Sequence, residues 1–311
     1  MIREIKIGTR GSKLAIIQAN WVLTRLTKLK KAAPGLKVSL TKITTQGDQD
    51  NRTPLDKFAQ EGIFVKELEK ALLDGKIDLA VHSLKDLPTE NPYGLALGAV
   101  APRLDPRDVL VSTRGQLDSL PPGAKVGTGS TRRAIQLLNY RPDLETGMLR
   151  GNIDTRLRKV ADGTFDGIIM AAAALMRLGW EDKITQYLLT ECFLPAVGQG
   201  ALGIEIRSHD SEVASLVSLV NHEATWQSVV AERTFLRALG GGCQTPIAAL
   251  GTVLPNNTLR LEGMVAGTGS KRILRSQEEG DARAPEQLGT RLAQKMMNMG
   301  ACEYISEAGH R

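Results

Sequence analysis

Apolar positions recur along this chain at two different periods, and the places where one period yields to the other mark its elements. Glu4-Ile5-Lys6-Ile7 alternates with period two, which predicts a short half-buried strand. The pattern breaks at Gly8-Thr9-Arg10-Gly11-Ser12. It resumes at helical spacing through Leu14, Ile17, Trp21, Val22 and Leu26. A second strand is predicted over Val38–Thr44, followed by a polar stretch from Thr45 to Lys57. The spacing from Phe64 to Leu73 predicts a helix closing at Gly75. Ile77-Asp78-Leu79-Ala80-Val81-His82 then reads as a buried strand that ends in Ser83-Leu84-Lys85-Asp86-Leu87-Pro88.

Near residue 100 the pattern restarts. Lys125-Val126 is a strand remnant before Gly127-Thr128-Gly129-Ser130-Thr131 and a helix over Arg132–Leu138. Gly163-Thr164-Phe165-Asp166-Gly167-Ile168-Ile169-Met170 echoes Gly75-Lys76-Ile77-Asp78-Leu79-Ala80-Val81. A Gly-Thr…Gly-Ser turn before a helix and a later Gly-x-(Ile/Phe)-Asp strand therefore occur in both halves. Two similar α/β lobes follow, each with a mostly parallel sheet covered by helices. Ligands of such lobes sit at the C-terminal ends of strands, in the crevice between them. The glycine-rich Val197-Gly198-Gln199-Gly200 reads as a hinge where the chain returns to the first lobe. From about His222 the texture changes to a helix over Ala231–Leu239, a Gly240-Gly241-Gly242-Cys243 loop, strands about Asn256-Asn257 and a last helix near Pro285–Met297. That is a small α+β domain.

Composition narrows the function. At 311 residues, with 42% hydrophobic and 24% charged side chains, the chain supports two or three domains of roughly 100–200 residues and excludes disorder. Its net charge of +6 points to an anionic partner, whereas 4% aromatics argue against stacking platforms for single-stranded nucleic acid. Three scattered cysteines (Cys192, Cys243, Cys302) and four scattered histidines (His82, His209, His222, His310) give neither a disulfide framework nor a metal site. The first residues lack a secretory apolar core, and the run Ile168–Met176 is too short to cross a bilayer. The expectation is a cytoplasmic protein with no membrane and no nucleic-acid partner.

Arginine placement carries the chemistry. Arg10 with Ser12, and Arg132 and Arg133 with Thr128 and Ser130, sit at strand-to-helix turns, while Arg150 and Arg156 flank another helix start. Free N–H groups at a helix start and forked guanidiniums together make an anion pocket. A single such arginine is usually a solvated surface residue; several at equivalent turns favour a shared site. Gly127-x-Gly129 has Arg132 where a dinucleotide fingerprint needs glycine, and no Gly-Lys-Ser/Thr triplet exists, so no nucleotide site is expected. Asp86 after a buried strand suits a carboxylate held in a cleft, against the bland reading of a turn aspartate before proline. Cys243, behind three glycines, is open to a close-approaching reactant, against the bland reading of a small buried hydrophobe.

Together these residues resemble a family. Glu232 to Ala248, read as ERTFLRALGGGCQTPIA, is similar to the cofactor-attachment signature of the porphobilinogen deaminases (hydroxymethylbilane synthases). The resemblance continues through Ile7 to Ser12, Val81 to Thr89, Asp105-Pro106-Arg107-Asp108, Gly129 to Arg133, Leu149-Arg150-Gly151-Asn152 and Leu194 to Ala201, in family order along almost the whole chain.

The resemblance implies a three-domain transferase of tetrapyrrole (haem) biosynthesis. It would condense four porphobilinogen molecules head to tail, with release of ammonia, to give hydroxymethylbilane. It implies one covalent dipyrromethane per chain, a thioether to Cys243, catalysis by Asp86, and a monomer. Cofactor-binding roles fall on Ser83, Lys85, Asp86, Thr128, Ser130, Arg132, Arg133 and Arg150; substrate-binding roles fall on Arg10, Ser12, Gln18, Lys57, Arg150, Arg156 and Arg177. The expected fold class is α/β, with two similar lobes of the periplasmic-binding-protein-like, type II kind plus a small α+β C-terminal domain. Lobe 1 is expected to comprise 1–100 and 199–221, lobe 2 to comprise 101–198, and the cofactor-attachment domain 222–311. The chain departs from its relatives at Ala59-Gln60-Glu61-Gly62, where many have a lysine between glycines; Lys57 is then left to carry that charge. A non-enzymatic solute-binding protein would share the lobes and the arginines, but leaves the Gly-Gly-Gly-Cys loop unexplained.

Overall fold

A computed structural model describes residues 4–28, 35–45, 65–241, 246–267 and 272–309. The first stretch of chain forms β1 (Glu4–Arg10), α1 (Lys13–Lys28), β2 (Lys37–Ile43), α2 (Lys66–Leu73), β3 (Leu79–Ser83) and β4 (Leu95–Val100). The second forms β5 (Asp108–Ser112), β6 (Lys125–Thr128), α3 (Thr131–Tyr140), β7 (Glu145–Met148), α4 (Ile153–Ala161), β8 (Gly167–Ala171), α5 (Ala172–Leu178) and β9 (Gln186–Tyr187). The chain continues with β10 (Leu202–Arg207), α6 (Ser211–Ser218) and α7 (Glu223–Ala238). It ends with β11 (Ile247–Leu254), β12 (Thr258–Ala266), β13 (Ile273–Asp281), α8 (Pro285–Asn298) and α9 (Ala301–Gly309).

Two compact units result: Met1–Leu104 with Ala201–Trp226, and Asp105–Gly200 with Gln227–Arg311. In the first, the strand order is β2-β1-β3-β10-β4. β1 is parallel to β2 and β3, while β10 is antiparallel to both its neighbours. Four of its five strands therefore share one direction. Ile5, Ile7, Leu79, Val81, Ile204 and Ile206 pack under α1 and α6; Ala80 and Ile77 pack under Leu68, Ala71 and Leu72 of α2. Both faces are buried, which is why these strands read as apolar runs rather than as alternations.

The second unit repeats the arrangement as β7-β6-β8-β5-β9, again with one reversed strand, β5. The sequence echo has a physical basis. Asp78 Oδ2 accepts from Lys6 N (2.9 Å) and Asp166 Oδ2 accepts from Lys125 N (2.7 Å), so each aspartate docks its loop on the first residues of the neighbouring strand. The preceding Gly75 and Gly163 take φ of +69° and +77°, a left-handed exit from a helix that favours glycine.

The remaining sheet is the antiparallel meander β11-β12-β13. Asn256 and Asn257 both have positive φ (64° and 56°), the backbone of the tight turn that the sequence predicted there. Phe235 of α7 and Leu288, Leu292 and Met296 of α8 fill the space against Leu259 and Leu261. Within the second unit this sheet is joined to the lobe: Ala248, Met264 and Ala266 pack on Ile135 and Leu194, and Arg275 donates to the carbonyls of Thr190 and Glu191.

Candidate active site

In the first unit, β1 and β3 are adjacent and parallel, so their C-terminal ends meet at one edge. Gly8 of β1 is closely covered there: a Cβ would stand 2.2 Å from Ile77 Cδ1. Arg10 ends β1, and Ser12 Oγ accepts from Ala15 N (3.3 Å) at the start of α1. A turn later, Gln18 Nε2 donates to Ser83 Oγ (2.8 Å) at the end of β3. The chain then makes a single 3-10 turn, Leu84–Asp86, closed by Leu87 N on Leu84 O (3.1 Å) and tied to β10's approach by Leu84 N on Ala201 O (3.1 Å). Lys85 is half-buried on that turn and Asp86 is exposed. Arg10, Ser12, Gln18, Ser83, Lys85 and Asp86 thus share one sheet edge.

In the second unit the ends of β7, β6 and β8 are likewise together. Ser130 N donates to Thr128 Oγ1 (3.2 Å), and Ser130 caps α3 through a long contact from Arg133 N (3.5 Å). After β7, Gly151 turns at φ +103°, Asn152 caps α4 by accepting from Thr155 N (2.9 Å), and Arg156 Nε donates to Gly151 O (2.7 Å). Arg150, on the same turn, is half-buried. Arg177 on α5 donates Nη2 to Gly200 O (2.7 Å); burial pushes its guanidinium down to about 10, still cationic at neutral pH.

Arg132 and Arg133 share a buried carboxylate inside the lobe. Asp108, wholly buried, receives Arg133 Nε (3.0 Å) and Nη2 (2.7 Å) on Oδ1, with Arg132 Nη2 2.9 Å from Oδ2. Gln199 Nε2 adds a further bond to Oδ1 (2.8 Å). Burial works to raise the Asp108 carboxyl, but the two guanidiniums hold it far below the usual carboxylate range. Arg132 also donates to Leu194 O (2.5 Å), and Arg133 to Ile169 O (3.3 Å) and Gln199 Oε1 (3.3 Å). The trio leaves one net positive charge beneath the strand ends.

Cys243 and Lys57 lie outside the described residues, as do 59–62. In the sequence Asp108 stands out only as part of Asp105-Pro106-Arg107-Asp108; the further signal is an acid flush against the apolar Val109-Leu110-Val111. His82 is buried with its Nε2 3.1 Å from Glu205 Oε2. The expected hinge glycines are held firmly within their own unit. Gly198 N donates to Glu232 Oε2 (2.7 Å), Gln199 binds Asp108, and Gly200 O takes Arg177. Their positive φ, 71° and 89°, explains why glycine stands there.

Residues 5–215 match the family model described as "Porphobilinogen deaminase, dipyromethane cofactor binding domain", and residues 226–298 match "Porphobilinogen deaminase, C-terminal domain". The chain is 51% identical over 309 residues to a protein named porphobilinogen deaminase from Pelotomaculum thermopropionicum, covering 99% of this chain and 98% of the relative. It is 50% identical to the protein of that name from Moorella thermoacetica (98% and 96% covered) and 48% identical to that from Brevibacillus brevis (97% and 96% covered).

Proposed function

The chain belongs to the porphobilinogen deaminase family, and from that premise we propose which of its residues carry the reaction. The enzyme condenses four porphobilinogen molecules head to tail, releases ammonia and yields hydroxymethylbilane for tetrapyrrole biosynthesis, with a dipyrromethane as primer. When bound, that group supplies the terminal pyrrole carbon from which the chain grows. Its side chains are carboxylates, and the donor types suit them: the guanidiniums of Arg150, Arg156 and Arg177 and the hydroxyls of Thr128 and Ser130. Unpaired carboxylates in a low-dielectric site are costly, so a polycarboxylate needs such cations. Arg132 and Arg133 add the net charge of their trio with Asp108. Cys243 anchors the group by a thioether, and its domain is taken as 222–311, with lobes of 1–100 plus 199–221 and of 101–198.

Arg10, Ser12 and Gln18 orient the incoming pyrrole, with Lys57 as a further cation for its carboxylates. Lys85 offsets negative charge beside Ser83, and Asp86 accepts from pyrrole N–H groups. Loss of ammonia from the substrate leaves a cation that the Asp86 carboxylate stabilises, and the same oxygen takes the ring proton after carbon–carbon bonding. The observation that carries this reading is the exposed carboxylate of Asp86, presented beside Lys85 on the single turn that follows the end of β3. The enzyme works as a cytoplasmic monomer without nucleic acid.

Intact-mass measurement of the purified protein tests the anchor: an adduct of two pyrrole units, absent from Cys243→Ser, is expected, and a bare polypeptide with full activity refutes it. Asp86→Asn is expected to lose about 10²–10⁴-fold in turnover, the range for a positioned proton-transfer group. Near-parental turnover would remove Asp86 from the mechanism.

A further inference from the structure

Behind the turn that presents Asp86 lies a buried histidine–glutamate pair which the reaction above does not use. Glu205 is fully buried on β10, and its described partner is His82 of β3, Nε2 to Oε2 at 3.1 Å. The other carboxylate oxygen, Oε1, has no hydrogen-bond partner among the described residues. Both side chains face α2, whose apolar Leu68 and Leu72 pack on Ala80 of the same strand. Glu69 of α2 is near enough that burial first, and then the Glu205 charge, push its carboxyl up.

Such a pair is a poor way to hold a fold together. Buried ions lose hydration, and well-packed apolar residues of similar volume are often as stable or more so. The backbone beside Glu205 is irregular. β4 loses register against β10 between Ile204 and Glu205, which pair with Ala99 and Leu97, leaving Gly98 as the extra residue of a bulge. Bulges re-aim side chains, frequently beside active sites. The position in β3 completes the picture. His82 lies four residues before Asp86, and the next residue, Ser83, faces the opposite side of the sheet and takes the bond from Gln18. At this point β3 is held from both faces immediately before it enters the 3-10 turn.

We propose that His82 and Glu205 are positioning residues for the Lys85–Asp86 turn, fixing the end of β3 on β10 so that the Asp86 carboxylate keeps its place during the reaction. The proposal rests on the assignment of Asp86. A misplacement near 1 Å at a reacting group is enough for about a 100-fold rate loss.

The test uses the cofactor-loaded full chain. The double variant His82→Leu/Glu205→Leu is expected to unfold at or above the parental denaturant midpoint and to keep its adduct mass. Its kcat is expected to fall about 10–100-fold with KM within about twofold. Glu205→Gln, which still accepts from Nε2, is expected to stay within about threefold of the parent in kcat. Parental kcat in the double variant would overturn the proposal, as would a Glu205→Gln loss equal to that of the double variant. If the double variant does not fold, Glu205→Met, similar in length but without an acceptor, takes its place with the same expected split and the same overturning result. Asp86→Asn is assayed alongside: if it retains turnover, the Asp86 assignment fails, whereas an inactive Asp86→Asn beside a fully active leucine pair removes this proposal alone.

Discussion

The two lobes share a strand order and a single reversed strand, yet each buries a different kind of acid on that strand. In the first, β10 carries Glu205 against one histidine. In the second, β5 begins with Asp108, held between two guanidiniums and a glutamine. The first sets one carboxylate against one imidazole and holds the end of a strand. The trio of the second keeps a surplus positive charge, so it both holds β5 to α3 and favours anions at the strand ends above it. One topology therefore supplies a placed carboxylate in one lobe and a cationic edge in the other.

Charge removal at Asp108 should break this comparison most sharply. Asp108→Asn leaves two buried guanidiniums without their carboxylate and is expected to cost about 3–5 kcal/mol in urea unfolding. The acid limb carries the same information. Because the folded Asp108 carboxyl is held below its ordinary value, its contribution is complete above about pH 4 and is lost as pH falls further. Asp108→Asn should flatten that limb, and an unchanged acid limb would show that other carboxylates set it.

The strand-approach glycines offer a finer comparison. Gly8 and Gly127 are equivalent in the two lobes, but an added Cβ would stand 2.2 Å from Ile77 Cδ1 in one and 3.0 Å from Ile168 Cγ2 in the other. Overpacking of this kind costs about 1–3 kcal/mol, so Gly8→Ala and Gly127→Ala should each lower the denaturant midpoint, the first against a side-chain tip and the second against the Phe165 ring as well. A parental midpoint in either variant would contradict the close packing at that glycine. The smallest effect expected is at the caps. Ser12→Ala should cost about 1 kcal/mol, and Ser130→Ala less, since its bond to Arg133 N is already long at 3.5 Å. A larger loss at Ser130 in thermal unfolding would reverse that ranking.

Much of this was legible in the chain. Two-sided burial makes apolar runs such as Leu79 to Val81 and Ile168 to Met170 conspicuous, and the glycine-to-aspartate echo is visible because the same aspartate bond is made twice. The arginine turns and Asp86 could be singled out because they follow those runs directly. Legibility ended where a residue's meaning depends on a partner distant in sequence. Asp108 meets Gln199 across 91 positions and His82 meets Glu205 across 123, and no local pattern announces either. The glycines at 198 and 200 illustrate the same limit: they mark where the chain passes between units, but their bonds to Glu232 and Arg177 show only in three dimensions.

The late arrival of β10 has a consequence for how the molecule is made. Among the described residues β4 pairs only with β10, and β10 begins about 100 residues after β4 ends, whereas the last described strand of the second lobe's sheet ends at Tyr187. At a ribosomal pace of roughly 5–20 residues per second, the N-terminal sheet waits about 5–20 s with an open edge. The later-encoded lobe can therefore close first, and the nascent chain exposes β3 and β4 as unfinished edges during that interval.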